Sequence, residues 1–346
     1  TTEIYTLSLH DALPIFKSGN IEPVRSTLVG GRSAGLRVLY EQLVLPMTVH
    51  KLRADLLHFP AWVAPRLIRV PYVLTVHDLI PYLLPIFCKA GTVRHFKNMM
   101  PRSVAGAARI LVPSEQVKSE LLTVFEDTEP SSVVVIPFAP VHQEFQGSRD
   151  AAVRKLAESY GITSPFFLCV GNIEPRKNLG HLLRAFFAAR MKSKFEHKLV
   201  IVGRKAWKAN LVDRVIASHG MQEMVHMVGY VKEDDISAFY AAATAFCFPS
   251  IAEGFGLPLV EALAAGCPCL VSDIPVFHEL AGDQATYLPM ADLSPWREAI
   301  EQAVAATPSS QAVRARKQRA AKFSWAETAR RTIAVYSEVE RELGLE

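Results

Sequence analysis

Ten short apolar runs, each bounded by turn-forming residues and separated by stretches with helical spacing, restrict this 346-residue chain to an α/β architecture. The alternation is the βαβ rhythm, which builds parallel sheets with helices on both faces. Four runs come first, at residues 55–59, 72–76, 110–112 and 133–136. Six follow, at 166–170, 198–202, 225–228, 245–248, 269–272 and 286–288. Residues 137–164 part the two sets, so two sheets are expected. A half-hydrophobic composition over this length is enough for a core in each. In the first set, Ser114 is the expected N-cap of the helix in PSEQVKSEL.

Charge and composition narrow the function. The net charge is +4, and residues 16–148 carry 14 basic against 10 acidic side chains. That mild excess suits an anionic membrane surface but forms no basic stripe for nucleic acid. The longest apolar stretches, 72–87 and 238–248, are broken by prolines or polar residues, which argues against a membrane span. The five cysteines, Cys88, Cys169, Cys247, Cys267 and Cys269, lack metal-ligand spacing and read as thiols of a reducing compartment. Glu233, Asp234 and Asp235 directly precede a helical run, where they complement the helix dipole rather than hold a metal.

The chemistry concentrates in two places. In SIAEGFGLPLVEALAAG, residues 250–266, Gly254 and Gly256 bracket Phe255 in a loop that lets backbone N–H groups approach a ligand. Pro258 suits the start of a helix beginning near Leu257. That helix start favours a phosphate, and Glu253 and Glu261 flank it as acceptors for sugar hydroxyls. The second place is GNIEPRKNL, residues 171–179, where Arg176 and Lys177 follow the run 166–170. Ligands bind at such strand ends in open α/β sheets. Two cations at a helix start oppose its dipole, and an anion would relieve that conflict.

Together these residues resemble the family 4 (group 1) retaining glycosyltransferases of the GT-B superfamily. Their E-x7-E hallmark matches Glu253 to Glu261 inside EGFGLPLVE. A bare pair of glutamates is ordinary solvated surface, and the flanking residues with the 171–179 segment give the match its specificity. The resemblance implies two Rossmann-like domains facing a cleft and a nucleoside diphosphate sugar as co-substrate, with no other cofactor and no metal. It assigns Gly171, Asn172, Arg176, Lys177, Gly254, Phe255, Gly256, Leu257 and Glu261 to the donor, and His77, Lys177 and Glu253 to catalysis. His77 ends the strand 72–76 in TVHD. Many members carry a basic residue where this chain has Asn172. The P-R-K-N form resembles mannosyltransferase-like members, which makes GDP-mannose the expected donor. The expected acceptor is a glycan or lipid-linked glycan in polysaccharide or glycolipid synthesis. Two rival readings are another GT-B sugar-nucleotide enzyme, such as an epimerase, and a binding-only fragment.

Residues 1–15, TTEIYTLSLHDALPI, resemble a translated sequencing-library adapter, so they are left out of the expected fold and the native N-terminus is expected to be missing. The expected divisions are 1–15 as a non-native segment, 16–148 as a truncated acceptor-side domain and 149–323 as the nucleotide-sugar domain. Residues 324–346 have apolar spacing at Trp325, Ala329, Ile333 and Tyr336, and the resemblance implies a helix there that crosses back to the first domain. Gly30, Gly31 and Arg32 read as a turn before a helix at 36–46. The apolar stretch 79–87 after His77 suggests contact with a lipid-linked acceptor or membrane, so the expected location is cytoplasmic with peripheral contact at the inner membrane face.

Overall fold

The computed structural model describes residues 5–6, 40–142 and 144–344, apart from the side chains of Tyr5, Thr6 and Glu233. The chain divides into two units, one of residues 1–137 with 325–346 and the other of residues 138–324. Each is built on one parallel sheet, as the alternation requires.

Among the described residues the first unit has five strands in the order β1-β2-β3-β4-β5: Tyr5–Thr6, Leu57–Phe59, Tyr72–Thr75, Arg109–Val112 and Val133–Val135. Its strand residues alternate between two apolar faces. Leu57, Phe59, Leu74, Ile110 and Val112 enter one cluster, while Leu56, Val73, Leu111 and Ile136 enter another. The second cluster is closed by Val335, Tyr336 and Val339 of the helix Trp325–Leu343. Each valine so buried contributes about 2 kcal/mol. His58, on β2, ties the same helix down through Nδ1 to the Tyr336 hydroxyl at 2.6 Å, and its Nε2 meets Thr75 Oγ1 at 2.7 Å. Burial lowers its pKa to about 4, with the nearby His77 acting in the same direction, so His58 is neutral at pH 7. Ser114 caps the helix Glu115–Val124 by accepting from the Val117 N–H.

Two expectations are corrected here, the end of the helix read at 36–46 and the buried face of the last helix. Tyr5–Thr6, set aside as non-native, pairs parallel with Leu57–His58. An open sheet edge recruits extended backbone through N–H and C=O groups and asks little of side chains. The helix read at 36–46 continues to Leu52, and Pro46 lies in the first turn of Leu45–Leu52, where its missing donor costs nothing. Residues 36–39 and the turn at Gly30, Gly31 and Arg32 lie outside the described residues. On the last helix Ile333 faces solvent, 60% exposed, and the buried positions are Val335, Tyr336 and Val339.

The second unit has six strands in the order β11-β10-β9-β6-β7-β8. They span Phe166–Val170 (β6), Lys198–Val202 (β7), Val225–Gly229 (β8), Ala245–Phe248 (β9), Cys269–Ser272 (β10) and Thr286–Leu288 (β11). Both faces are buried: Phe166, Leu168, Phe246, Phe248 and Val271 point to one core, and Phe167, Cys169, Cys247 and Leu270 to the other. From β6 the chain steps outward through β7 to β8, then returns to lay β9 on the opposite side of β6. The connections leaving β6 and β9 therefore diverge, which opens a crevice at their carboxyl ends.

Candidate functional site

That crevice collects Gly171, Arg176, Lys177 and Glu253 of the residues singled out from the sequence. Gly171 leaves β6 with φ 141° and Gly203 leaves β7 with φ 149°. Their backbones touch: a Cβ on Gly203 would lie 2.0 Å from the Gly171 carbonyl oxygen. The chain then makes a short turn, Pro175–Lys177, before the helix Leu179–Ser193. The Lys177 side chain folds back over Gly171, and its ammonium sits 4.8 Å from the centroid of Phe248 at the end of β9. The loop after β9 is joined to this turn by the Ile251 N–H donating to the Arg176 carbonyl at 2.9 Å.

Glu253 is the hub. Its Oε1 accepts from Lys177 Nζ at 2.6 Å, and its Oε2 lies 2.8 Å from Arg176 Nη1. Arg176 also donates to Glu174 at 2.8 Å and to the Ala252 carbonyl at 2.6 Å. Burial pushes the Glu253 pKa up, but the charges of Lys177 and Arg176 outweigh it and hold the carboxyl below its ordinary range. Glu253 is thus an acceptor and not an acid at neutral pH. Glu253 sets a negative charge of the protein's own against the two cations at this helix start. Two cations and the two carboxylates they touch sum to zero, so a diphosphate entering here competes with Glu253 for Lys177 and Arg176.

Gly256, at φ 115°, precedes the helix Leu257–Ala264, with Pro258 in its first turn. A Cβ at Gly256 would meet the Phe277 ring at 3.0 Å. Phe255 is only 5% exposed, with its ring edge-on to Phe138 and Phe323. Its side chain belongs to the core, so any donor contact at this position falls to the backbone. Glu261 is also buried, in a different set of contacts from Glu253. Its Oε2 accepts from the Tyr240 hydroxyl at 2.9 Å and its Oε1 from the Val141 N–H at 3.4 Å. Asn172 is exposed.

His77 belongs to the first unit, just past the end of β3. Its Nε2 lies 2.6 Å from the Pro60 carbonyl, so this nitrogen carries the proton and donates. Burial lowers its pKa, against the opposing pull of that hydrogen bond. The Trp62 ring stands edge-on at 4.7 Å, and the Trp62 indole N–H donates to the Asp78 carbonyl. Trp62 itself has φ 51°, a rare conformation for so bulky a residue. Gly203, Tyr240, His58 and Trp62 are the positions that sequence reasoning missed. Gly203 carried a usable signal, since it follows β7 as Gly171 follows β6. Among the described residues no cluster of His, Cys, Asp or Glu could hold a metal ion.

Two family matches follow one another along the chain. Glycosyltransferase Family 4 covers residues 3–138, and Glycosyl transferases group 1 covers 153–319, including every crevice residue above. The chain belongs to the group 1 glycosyltransferases. This glycosyltransferase is 27% identical to O-antigen chain mannosyltransferase B of Escherichia coli, over 76% of its own length and 69% of that protein's. It is 29% identical to O-antigen chain mannosyltransferase RfbU of Salmonella typhimurium, over 66% of its own length and 59% of the relative's. Among solved structures it resembles WaaG, a glycosyltransferase involved in lipopolysaccharide biosynthesis, with a TM-score of 0.71. That likeness covers 90% of this chain and 87% of WaaG at 15% identity, and it speaks for the fold, which is GT-B. No helix among the described residues is long and apolar enough to cross a membrane.

Proposed function

We propose that this glycosyltransferase moves mannose from GDP-mannose to a hydroxyl of a glycan or lipid-linked glycan, with retention at the anomeric carbon. The observation that carries the reading is the Lys177, Arg176 and Glu253 cluster at the diverging ends of β6 and β9. The two mannosyltransferase relatives support the sugar. In this scheme the donor diphosphate meets Lys177, Arg176 and the start of the Leu257–Ala264 helix, and these supply the positive charge that a metal would otherwise bring. Glu253 orients sugar hydroxyls, Glu261 takes those of the ribose, and His77 is the candidate catalytic residue of the first unit. The bond from the anomeric carbon to the phosphate oxygen breaks, and the acceptor oxygen bonds to the same face of that carbon. The acceptor's proton passes to the departing phosphate oxygen. Calorimetry with GDP and UDP tests the donor: GDP binds at least tenfold tighter on this reading, and a preference for UDP would overturn it. Release of mannose to an acceptor, rather than formation of a donor isomer, separates transfer from epimerisation.

The first unit also carries a candidate docking face for a lipid-linked acceptor. Leu83 and Ile86 are 43% and 74% exposed, and Ile86 lines one surface hollow with Arg94 and Lys97 at the start of the helix Ala90–Ala105, which the exposed Lys89 precedes. Apolar tips beside exposed cations suit an anionic lipid surface. The chain is expected to co-sediment with vesicles containing anionic phosphatidylglycerol and to lose that binding in Ile86→Asp. Equal binding to purely zwitterionic vesicles would remove the electrostatic part of this reading.

A further inference from the structure

We infer that Tyr240 is the positioning residue for Glu261: its hydroxyl anchors one carboxylate oxygen in the core and so presents the other to the nucleotide ribose. The inference rests on the donor-site reading above, which gives Glu261 the ribose.

The two oxygens of Glu261 are held unequally. Tyr240, in the helix Glu233–Ala242, is 2% exposed, and its hydroxyl donates to Oε2 at 2.9 Å. The ring is fixed by an edge-on contact with Phe246 of β9. A buried hydroxyl donating to a carboxylate is strong and costly to leave unmade. On the other side, Oε1 takes the long 3.4 Å contact from the Val141 N–H and lies 3.7 Å from His142 Nε2, and the His142 backbone also bonds the carboxylate. Val141 is 49% exposed and the His142 side chain 23%, so this contact faces the surface. A ligand diol can replace the Oε1 contacts from outside, whereas the Oε2 contact lies beyond its reach.

The same hydroxyl keeps the carboxylate charged. Burial pushes the Glu261 pKa up to about 7, and the Tyr240 hydrogen bond, followed by the weaker backbone bonds of Val141 and His142, pulls against that rise. The titratable groups facing this pair are few. His142 comes from the segment after residue 137, and the Cys267 and Cys169 thiols lie beyond the Tyr240 ring. Both thiols are pushed up to about 12 by burial and stay neutral. Tyr240 is itself driven well above its ordinary range, first by burial and then by the Glu261 charge, so it remains a donor.

The sign of the pH effect follows. Ionised Glu261 accepts ribose hydroxyls most strongly, so nucleotide affinity falls as pH drops through about 7. Removing the hydroxyl strips the ionised form of a charge-assisted bond and moves that fall upward by about one pH unit. Tyr240→Phe should therefore bind GDP about fivefold more weakly than the parent chain at pH 7. The gap should close to within twofold at pH 9, where Glu261 ionises without help. Titration of the GDP phosphates is common to both proteins and cancels in the ratio.

The test is calorimetric titration of GDP from pH 6 to 9 into the parent chain, Tyr240→Phe and Glu261→Gln, with thermal melts at both ends of the range. A gap between parent and Tyr240→Phe that narrows with rising pH, together with no pH step in Glu261→Gln, supports the inference. A loss of equal size at every pH, or none, overturns it, because packing alone would not follow the titration. If Glu261→Gln binds GDP as tightly as the parent at pH 9, the ribose assignment of Glu261 is what fails. If Glu261→Gln binds weakly while Tyr240→Phe keeps the parent profile, only the role of Tyr240 fails.

Discussion

Lys177→Ala is expected to lower kcat for sugar transfer by about 100-fold or more, close to 3 kcal/mol of transition-state stabilisation. Its ammonium lies on the glycine loop after β6 and against the end of β9, where on the proposed reading charge grows on a departing diphosphate. Donor KM should change much less, since the gain is largest in the transition state. The substitution also leaves Glu253 with Arg176 as its remaining cationic partner among those described, so part of the loss reflects a carboxylate that ionises less readily. Steady-state kinetics with GDP-mannose would measure both effects. A loss under about fivefold in kcat would place the diphosphate elsewhere.

Gly203→Ala should be as damaging without touching a charged group. The position has φ 149°, a region L side chains rarely enter, and strain of this kind costs about 1–3 kcal/mol by itself. Its Cβ would also lie 2.0 Å from the Gly171 oxygen and 2.6 Å from the Gly171 carbonyl carbon, backbone atoms that no rotamer change moves aside. The two glycine turns must separate, and the turn after β6 carries Arg176 and Lys177. Urea unfolding of the second unit and GDP titration should both show the loss, with nucleotide affinity down at least tenfold. Parent-like values in both assays would mean the loops tolerate separation.

The second unit was legible because its runs are fully buried and end in residues that cannot continue a strand. The limits of β6, β7, β9, β10 and β11 could be read from apolar runs alone. The strand order β11-β10-β9-β6-β7-β8 could not, since crossovers leave no local trace. Lys177, Arg176 and Glu253 were found through two segments of distinctive chemistry. Their direct pairing was not, because the partners are 76 residues apart and the expectation had an outside anion at that place. The burial of the Phe255 ring could not be read for a related reason: Phe138 and Phe323, which stand edge-on to it, lie far away in the sequence. The face of the last helix was misread because Leu56, Val73 and Leu111, far back in the chain, decide which side is buried.

The helix Trp325–Leu343 completes the second apolar face of a sheet whose strands lie before residue 137, with the whole second unit in between. During synthesis, the earlier unit therefore waits. Its strands leave the ribosome with Leu56, Val73 and Leu111 uncovered and with His58 Nδ1 lacking the Tyr336 hydroxyl, while some 190 further residues are made. The later unit has all its strands on one continuous piece and can close first. Order of manufacture and order of completion are thus reversed, and a nascent chain held on the ribosome before residue 335 is a species that chaperones should recognise by its first half.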